Sequence, residues 1–453
     1  MPHPPRSRGG SLSSNPRRVA LAALRATIEG AAPEEVLDRD GVMLSQKDMA
    51  LASALVYACL RHQSRLDFLI DGKLSSLGRT SLVVRIILRL GLAQLLFFDR
   101  VGAHAVVNEA AELTKKFAPG REGLVNAILR GFLREKETSS YFPREIVGAN
   151  ATVSKRLGLL YSYPEWLVEK LVARLGFREA RAFLVASNQP ATATIRVNPR
   201  FARRAGLAAL FPFKTSATAI SPWGLIPERF QGRPDSWPGF VEGLFSVQDE
   251  ASQLLGLLAG QPRTIFDACA GMGGKSLALL ALFPEANLLA LDPNEYRLKF
   301  FREELKRHKL PRVPRIVRGD LLKVEIEETF DLVVVDAPCS GTGVIRRRPD
   351  LKWRLRGEDI AALSARQKEL LAAAAARVAP GGRLVYAACS VLDEEGPRVM
   401  EDFWRERPAF APLPLADFPA LLSPLAARPG EIRLWPQRQR TDGFYYGVSV
   451  FKG

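Results

Sequence analysis

The segment FDLVVVDAPCSGTGVIRRRPDLKW, from Phe330 to Trp353, decides how the C-terminal half of the chain folds. Its first residues form a nearly unbroken run of apolar β-formers, which is typical of a strand buried on both faces of a parallel sheet. A carboxylate and a thiol, Asp336 and Cys339, follow this strand directly. Because reacting groups collect at the carboxyl ends of strands in open α/β sheets, the pair predicts a reactive site at one sheet edge.

The charge of the chain indicates a polyanionic partner. The 453 residues carry a formal net charge of +16, and each Lys or Arg placed on a phosphate contributes salt-sensitive affinity. Six Lys/Arg against one Asp between residues 344 and 356 predict a basic lip beside the reactive pair, and nine more lie between 297 and 318. An anionic membrane is the competing partner, but Arg85 and Arg89 interrupt the most apolar window, so we expect no membrane span.

The N-terminus and the few Cys and His residues indicate where in the cell the protein lies and whether it binds a metal. Residues 1–15 are rich in Pro, Gly, Ser and Arg, which predicts a disordered basic tail and not a secretion signal. The cysteines and histidines are scattered, without C-x-x-C spacing, so we expect no metal site, no disulfide framework and a cytoplasmic protein. The cysteines are Cys59, Cys269, Cys339 and Cys389.

The pattern of apolar residues predicts four regions after the tail. Residues 16–140 have helical spacing throughout, which is typical of a helical bundle. The period weakens over 141–163, which we interpret as a linker, and 164–244 predict a small α/β module. From 245 to 453 strands alternate with helices. The last region therefore predicts an α/β fold with a parallel, doubly wound sheet of six strands, ending in an antiparallel strand.

A glycine-rich loop, DACAGMGGKS, closes the first strand of this sheet and opens a helix. An ATPase-type P-loop requires Gly where Cys269 stands, and a dinucleotide fingerprint requires Gly where Ser276 stands. What remains is a loop for a nucleoside with an amino-acid tail. Asp292 ends the next strand, suited to ribose hydroxyls, and Asp320 ends the one after. Together these features favour S-adenosylmethionine as the cofactor.

Two thiols follow neighbouring strands of the predicted sheet, Cys339 after the fourth strand and Cys389 after the fifth. A strand-end cysteine is often inert core, but a pair in one cleft beside Asp336 favours chemistry. A thiolate that adds to carbon 6 of cytosine, while an acid contacts N3, makes carbon 5 able to attack a sulfonium methyl. We expect Lys275 and the run from Arg346 to Arg348 to favour the thiolate.

Several motifs carry a resemblance to a known family. DACAGMGGKS, LDPNEYRL, RGD, DAPCSGTGVIRRRPDLKW, AACSVLDEEG and TDGFYYG resemble successive motifs of the RNA 5-methylcytosine methyltransferases of the NOL1/NOP2/Sun family, as does VQDEASQL. LVYACLRHQSRLDFLI and GLVNAILRGFLR resemble the NusB-like helical domain of its bacterial 16S rRNA branch. The resemblance implies a Rossmann-like methyltransferase sheet preceded by an all-α NusB-like RNA-binding domain and a small α/β connecting module.

The resemblance also implies roles for individual residues. Cys389 would be the nucleophile and Cys339 would assist product release, with Asp336 on the base and Lys275 beside it. Asp292 would hold the ribose and Asp320 would lie near the adenine. The loop that cradles the methionine end comprises Cys269, Ala270, Gly271, Met272, Gly273, Gly274 and Lys275.

This sequence departs from the family pattern at two places. Gly271 and Met272 replace an Ala-Pro pair in the cofactor loop, and Ala388 replaces the Thr that precedes the nucleophile. The implied function is methylation of carbon 5 of a cytidine in small-subunit rRNA. The same chemistry on tRNA, a DNA cytosine methyltransferase and a non-catalytic NusB-like RNA-binding factor are the alternatives.

Overall fold

The computed structural model describes residues 14–74, 80–99, 101–136, 151–228 and 232–453. The backbone separates into two compact units, which are described one at a time. The first comprises Met1–Leu184 with Arg348–Leu355, and the second comprises Val185–Arg347 with Arg356–Gly453. The predicted tail, 1–15, lies outside the described residues except for its last two positions. Within the described ranges, no helix is long and apolar enough to cross a membrane.

The first unit is helical, as the sequence predicts. Its first helix begins at Pro16, and the side chain of Asn15 accepts a hydrogen bond from the backbone N–H of Arg17 at 2.9 Å, which caps the helix. Leucine, valine and isoleucine side chains from the helices between residues 16 and 136 form one buried core. The helices are α1 (Pro16–Ile28), α2 (Pro33–Asp40), α3 (Gln46–Arg61), α4 (Gln63–Asp71), α5 (Leu82–Phe97), α6 (Ala103–Phe117), α7 (Glu122–Lys136), α8 (Val153–Tyr161) and α9 (Glu165–Ser187).

The structure changes one expectation for this region and confirms another. The linker predicted over 141–163 contains α8, which Thr152 caps through its side chain; the residues of that linker before 151 are not described. Two helices are predicted between 164 and 188, and the structure confirms them, because α9 consists of two helices that meet at a kink at Gly176, where φ is 74° and ψ is 167°. Glycine adopts a positive φ at little cost, so one helix can end and the next can begin at this residue.

The second unit begins with a small antiparallel sheet. Its elements are β1 (Ile195–Val197), α10 (Arg204–Leu210), β2 (Thr215–Ala217), β3 (Gly224–Pro227) and β4 (Phe245–Val247). The strand order is β2-β3-β1-β4. Because Ile195 of β1 pairs with Val247 of β4, this module continues past the boundary expected at residue 244. Trp237, Phe240 and Phe245 pack in its apolar core and do not form an exposed stacking surface.

The large sheet contains the six predicted strands and two more. Its order is β10-β12-β9-β8-β5-β6-β7, with β11 paired to β12. The pairs from β9 to β7 are parallel and β12 is antiparallel to β9, as predicted. Its elements and the remaining helices are α11 (Glu250–Gln253), α12 (Leu255–Leu258), β5 (Thr264–Asp267), α13 (Gly274–Leu282), β6 (Asn287–Asp292), α14 (Glu295–His308), β7 (Arg315–Arg318), β8 (Phe330–Asp336), α15 (Leu351–Arg354), α16 (Asp359–Ala375), β9 (Val378–Ala388), α17 (Pro397–Glu406), β10 (Phe410–Pro412), β11 (Glu431–Leu434), α18 (Pro436–Gln439) and β12 (Phe444–Phe451).

Strand β8 is buried on both faces, which confirms the interpretation of its apolar run. Leu332 and Val334 point into one apolar core, and Val333 and Val335 point into the core on the opposite face. All four side chains are inaccessible to solvent. Packing on both faces fixes the direction of the strand, and therefore the position of the residues at its carboxyl end.

The segment Arg348–Leu355 belongs to the helical unit. Its contacts there show that the prediction of a basic lip over residues 344–356 is wrong for Lys352. The ammonium of Lys352 is buried and donates to the carbonyl oxygens of Arg61 and Ser162, each at 2.7 Å. The indole N–H of Trp353 donates to the carbonyl oxygen of Leu60 at 2.6 Å. Burial lowers the pKa of Lys352 well below its ordinary value. This lysine is therefore a structural residue of the first unit and not a phosphate contact.

Candidate active site

The two thiols predicted to share a cleft are adjacent. Strands β8 and β9 run parallel, with Asp336 opposite Ala387. The loops that leave these strands bring the sulfur atoms of Cys339 and Cys389 to 3.2 Å from each other. The pair follows from the strand order alone, because the carboxyl ends of neighbouring parallel strands meet at one edge.

The environment of Cys339 favours its protonated form. Its hydrogen bond with Cys389 and its burial raise the pKa of the Cys339 thiol well above the ordinary value, and the Glu395 carboxylate adds to this effect. Cys269 lies in the glycine-rich loop, where burial followed by the charge of Asp267 raises its pKa. A thiol that keeps its proton is a poor nucleophile but a competent hydrogen-bond donor.

A short ion pair stands beside the thiols. Lys275 Nζ donates to Asp336 Oδ2 at 2.5 Å, and the same ammonium lies 5.3 Å from the centre of the Phe444 ring. Burial opposes the charge of Lys275, but attraction to Asp336 outweighs it and raises the pKa of the lysine above its ordinary value. Lys275 is therefore charged in the resting site.

The glycine-rich loop has the shape of a cofactor cradle. Gly271 and Gly273 have φ angles of 56° and 81°, in the left-handed region. A Cβ at Gly271 would meet nothing within 4 Å, so the backbone there faces open space, whereas a Cβ at Gly273 would lie 2.0 Å from Phe301. Ala270 is held by its N–H bond to the carbonyl of Leu291, and Met272 is half-exposed. Directly after the loop, the first backbone N–H groups of α13 are free to donate to a polar ligand.

Two carboxylates hold this loop and the start of α13 by hydrogen bonds. Asp292, at the end of β6, accepts hydrogen bonds from the backbone N–H groups of Gly271 at 2.9 Å and Asn294 at 2.8 Å. Asp267, at the end of β5, is fully buried and accepts from the Ser276 hydroxyl at 2.6 Å, while its Oδ1 has no hydrogen-bond partner. Burial raises the pKa of Asp267 to about 6.

Asp320 is held by an arginine that the sequence did not single out. Both carboxylate oxygens accept from Arg366 Nη2, at 2.8 and 2.9 Å. The backbone N–H of Leu322 donates to the same carboxylate, and this bond, with Arg366, lowers the pKa of Asp320. Arg366 leaves part of each oxygen's hydrogen-bonding capacity open, so Asp320 can still accept from an amino group.

Arg346 and Arg347 are bound in a four-residue ion cluster. Arg346 bonds Asp249 at 2.9 Å and Asp442 at 2.5 Å, and Arg347 bonds the same two carboxylates at 2.6 and 2.7 Å. This corrects two expectations, that these guanidinium groups activate the thiol and that they hold RNA phosphates. Their charge is matched within the cluster, so their role is to tie three segments of the unit together.

The small sheet contributes a contact that sequence analysis missed. Arg196 of β1 is buried and donates to the carbonyl oxygen of Gly274 at 3.2 Å and to Gln248 Oε1 at 2.9 Å. Gln248 donates to the same Gly274 carbonyl. Burial lowers the pKa of Arg196 to about 9. The only signal in the sequence is an arginine inside the apolar strand IRV. These contacts hold the start of α13 and thus the cofactor loop.

Comparisons with known proteins identify the family of the chain. Family models match in three places: the 16S rRNA methyltransferase RsmB/F at residues 255–449, the NusB family at 14–134 and a ferredoxin-like domain of RsmF/B-like methyltransferases at 163–226. Ribosomal RNA small subunit methyltransferase B of Vibrio cholerae is 34% identical, over 96% of this chain and 97% of that relative. Its Salmonella paratyphi C counterpart is 33% identical over 97% and 99%.

Solved structures agree as well. The crystal structure of PH0851 has a TM-score of 0.77 and 25% identity, and covers 98% of this chain and 100% of that one. The fold and the family matches together define an S-adenosylmethionine-dependent RNA methyltransferase. With a relative this similar along nearly its whole length, the chain belongs to the RsmB/F family of 16S rRNA methyltransferases.

Proposed function

We propose that the protein methylates carbon 5 of a specific cytidine in 16S rRNA through a covalent intermediate on Cys389. The observation that carries this proposal is the separation of 3.2 Å between the Cys339 and Cys389 sulfurs, beside the Lys275–Asp336 pair. Methylation of an amino group or a hydroxyl requires no thiol, whereas carbon 5 of cytosine becomes nucleophilic only after a nucleophile has added to carbon 6.

The cofactor would lie along the carboxyl ends of β5, β6 and β7. S-adenosylmethionine supplies an electrophilic methyl group on a sulfonium. The loop from Cys269 to Lys275 would hold its methionine end, since the backbone at Gly271 faces open space. Asp292 would accept from the ribose hydroxyls and Asp320 from the adenine amino group. Because Gly273 has no Cβ, the loop packs directly against Phe301, and this close packing leaves room for the cofactor above the loop.

Cys389 would begin the reaction and Asp336 would support it. The Cys389 sulfur bonds to carbon 6, and the electron pair of the 5,6 double bond moves towards N3, which takes up a proton. Asp336 would contact N3, with Lys275 as the source of that proton. The enamine then attacks the methyl group through carbon 5. Lys275 suits this part because its raised pKa keeps it protonated until the base arrives.

Cys339 would assist release of the product. Water accepts the carbon 5 proton, the bond between carbon 6 and the Cys389 sulfur breaks, and N3 gives its proton back. The sulfur leaves as a thiolate, which the Cys339 S–H stabilises by a hydrogen bond. Cys339 suits this part because its raised pKa keeps the proton on its sulfur, where it can be donated to the departing thiolate.

The proposal that rRNA is the substrate rests on the similarity of the chain to relatives whose names include ribosomal RNA. Those relatives are ribosomal RNA small subunit methyltransferases B, and the NusB-like region at 14–134 suits an RNA partner. Carbon 5 of a stacked cytidine is out of reach, so the nucleotide must be splayed from a loop or an unfolded region into the cleft.

The test is the methylation state of rRNA in cells. Bisulfite sequencing of 16S rRNA should show one methylated cytidine in the parent strain that is lost on deletion of this gene and restored by the wild-type protein. An unchanged set of methylated cytidines in the rRNA, with a loss in tRNA instead, would contradict the proposed substrate.

A further inference from the structure

Glu395 is a buried carboxylate close to both thiols, and the reaction above gives it no part. Its side chain is inaccessible to solvent, in the 3-10 turn Asp393–Glu395 that follows Cys389. Burying a carboxylate is costly unless several donors satisfy it. A fully buried Glu at this place therefore requires an explanation, and its hydrogen bonds supply one.

One set of bonds holds the loop of Cys339. The backbone N–H of Ser340, the next residue, donates to Glu395 Oε1 at 2.7 Å. The Ser340 hydroxyl donates to Glu395 Oε2. Two bonds to one residue fix both its backbone and its side chain, so the position of the preceding Cys339 depends on the carboxylate.

A second set holds the loop of Cys389. The hydroxyl of Ser390, the residue after Cys389, donates to Glu395 Oε2 at 2.6 Å and accepts from the N–H of Leu392 at 3.1 Å. The carboxylate thus receives a bond from the neighbour of each cysteine. Ser340 and Ser390 occupy equivalent places in the two loops, one residue past each sulfur.

The carboxylate is itself held in place by two further residues. Gln367 of α16 donates to Glu395 Oε1 at 3.1 Å, and the Tyr386 hydroxyl donates to the Glu395 carbonyl oxygen at 2.6 Å. Tyr386 belongs to β9, the strand that leads to Cys389. The donors to the two oxygens of this carboxyl group are all uncharged, and loss of one oxygen as an acceptor would leave a buried donor without a partner.

We propose that Glu395 is a positioning residue that holds Cys339 and Cys389 at their working separation, by accepting hydrogen bonds from the residue after each cysteine, two from Ser340 and one from Ser390. The inference rests on the proposed function of the two thiols. Glu395 touches neither substrate nor cofactor in this proposal and acts only through the loops. Its charge also contributes to the raised pKa of Cys339, after the hydrogen bond to Cys389 and burial.

The test measures the separation of the sulfurs without relying on catalysis. Diamide takes up the two electrons and two protons that a pair of thiols loses on forming a disulfide. With sulfurs 3.2 Å apart, the wild-type protein should form a Cys339–Cys389 disulfide rapidly, detected by mass spectrometry of non-reduced peptides. Glu395→Gln should slow this step by about tenfold or more, because small misplacements cost large factors in proximity-driven reactions.

Glu250→Gln is the matched control. Glu250 is buried and accepts from two backbone N–H groups of another loop, those of Ile220 at 2.6 Å and Ser221 at 2.7 Å. It should form the disulfide at the wild-type rate. An unchanged rate in Glu395→Gln, or an equal slowing in Glu250→Gln, would overturn the proposal. Should Glu395→Gln fail to fold, Ser390→Ala removes one bond of the network and should still slow the disulfide, by a smaller factor.

Steady-state kinetics separate this inference from the proposed function. Glu395→Gln should lower kcat for methyl transfer by about 10- to 100-fold, with KM for S-adenosylmethionine changed by less than about twofold. Slowed disulfide formation in a protein whose wild type does not methylate RNA would leave the positioning inference standing and overturn the proposed function. Normal kcat and a normal disulfide rate in Glu395→Gln would overturn the inference alone.

Discussion

Lys275 Nζ and Asp336 Oδ2 lie 2.5 Å apart at the junction of the cofactor loop and the strand that leads to Cys339. Lys275 is the second residue of α13, and Asp336 is the last residue of β8. One ion pair thereby connects the part of the site assigned to the cofactor with the part assigned to the base. Its loss should affect the chemical step more than the binding of either substrate.

Asp336→Asn tests this pair. The amide preserves the shape of the side chain but loses the ion pair that holds Lys275, the proposed source of the N3 proton, so we expect methyl transfer to fall by about 10²- to 10⁴-fold. Initial rates with labelled S-adenosylmethionine are the measurement. Lys368→Met is the control, since Lys368 forms a pair of the same length, 2.5 Å, with Asp402 at the surface. Retention of wild-type kcat in Asp336→Asn would remove Asp336 from the mechanism.

Asp267 predicts a pH dependence of stability. Its folded-state pKa is about 6, above the ordinary value of 3.8, because burial disfavours the charged form. The folded state therefore binds the proton more tightly than the unfolded state. This stabilisation is complete below about pH 3 and is lost as pH rises through 6. Relative to Asp267→Asn, the free energy of unfolding of the wild type should fall by about 2 kcal/mol between pH 4 and pH 7.

Urea unfolding of both proteins at the two pH values is the measurement. The other titrating groups are shared, so they cancel in the difference between the proteins. A difference that does not change with pH would show that Asp267 titrates in the folded protein as it does in the unfolded chain.

The ion cluster of Arg346 and Arg347 predicts a large loss of stability on removal of Asp442. Asp442 is buried and bonds both arginines, so Asp442→Ala should cost about 3 to 5 kcal/mol of unfolding free energy by leaving buried cations under-compensated. Glu358→Ala, which removes an exposed partner of Arg356, should cost less than about 1 kcal/mol. Chemical denaturation of the two variants compares them. Equally small losses in both variants would show that the cluster fixes the positions of the loops but does not add to the free energy of unfolding.

The cofactor loop predicts unequal effects for two glycine substitutions. Both positions have positive φ, which costs an alanine about 1 to 2 kcal/mol. Gly273→Ala would also place a Cβ against Phe301, whereas Gly271→Ala would meet open space. Calorimetric titration with S-adenosylmethionine should show lost binding for Gly273→Ala and weaker but measurable binding for Gly271→Ala. The reverse order would mean that the cofactor itself needs the space beside Gly271.

Much of this architecture follows from local sequence pattern. The apolar run before Asp336 predicts a doubly buried strand, and parallel order then places Cys339 beside Cys389. Helical spacing predicts the first unit, and the glycine loop predicts a nucleoside cofactor. These features depend on residues that are close in sequence or on topology rules that apply to all doubly wound sheets.

The rest depends on pairs of residues far apart in sequence. Arg346 is 97 residues from Asp249 and 96 from Asp442, so its charge looks free in the sequence and is matched in the fold. Lys352 looks like a surface cation and is buried, because its partners are two backbone carbonyls with no sequence signature. Glu395 lies in an acidic turn, and acidic turns are usually exposed to solvent. It belongs to the site only because two loops that are distant in sequence pack around it.

The most direct measurement is methyl transfer to transcribed 16S rRNA by wild type, Cys389→Ala and Cys339→Ala, with denaturing gels to detect protein–RNA adducts. The account predicts no methylation and no adduct for Cys389→Ala, and an accumulated adduct for Cys339→Ala. An adduct that persists without Cys389 and disappears without Cys339 would reverse the two roles. Full activity in both variants would contradict the cysteine mechanism.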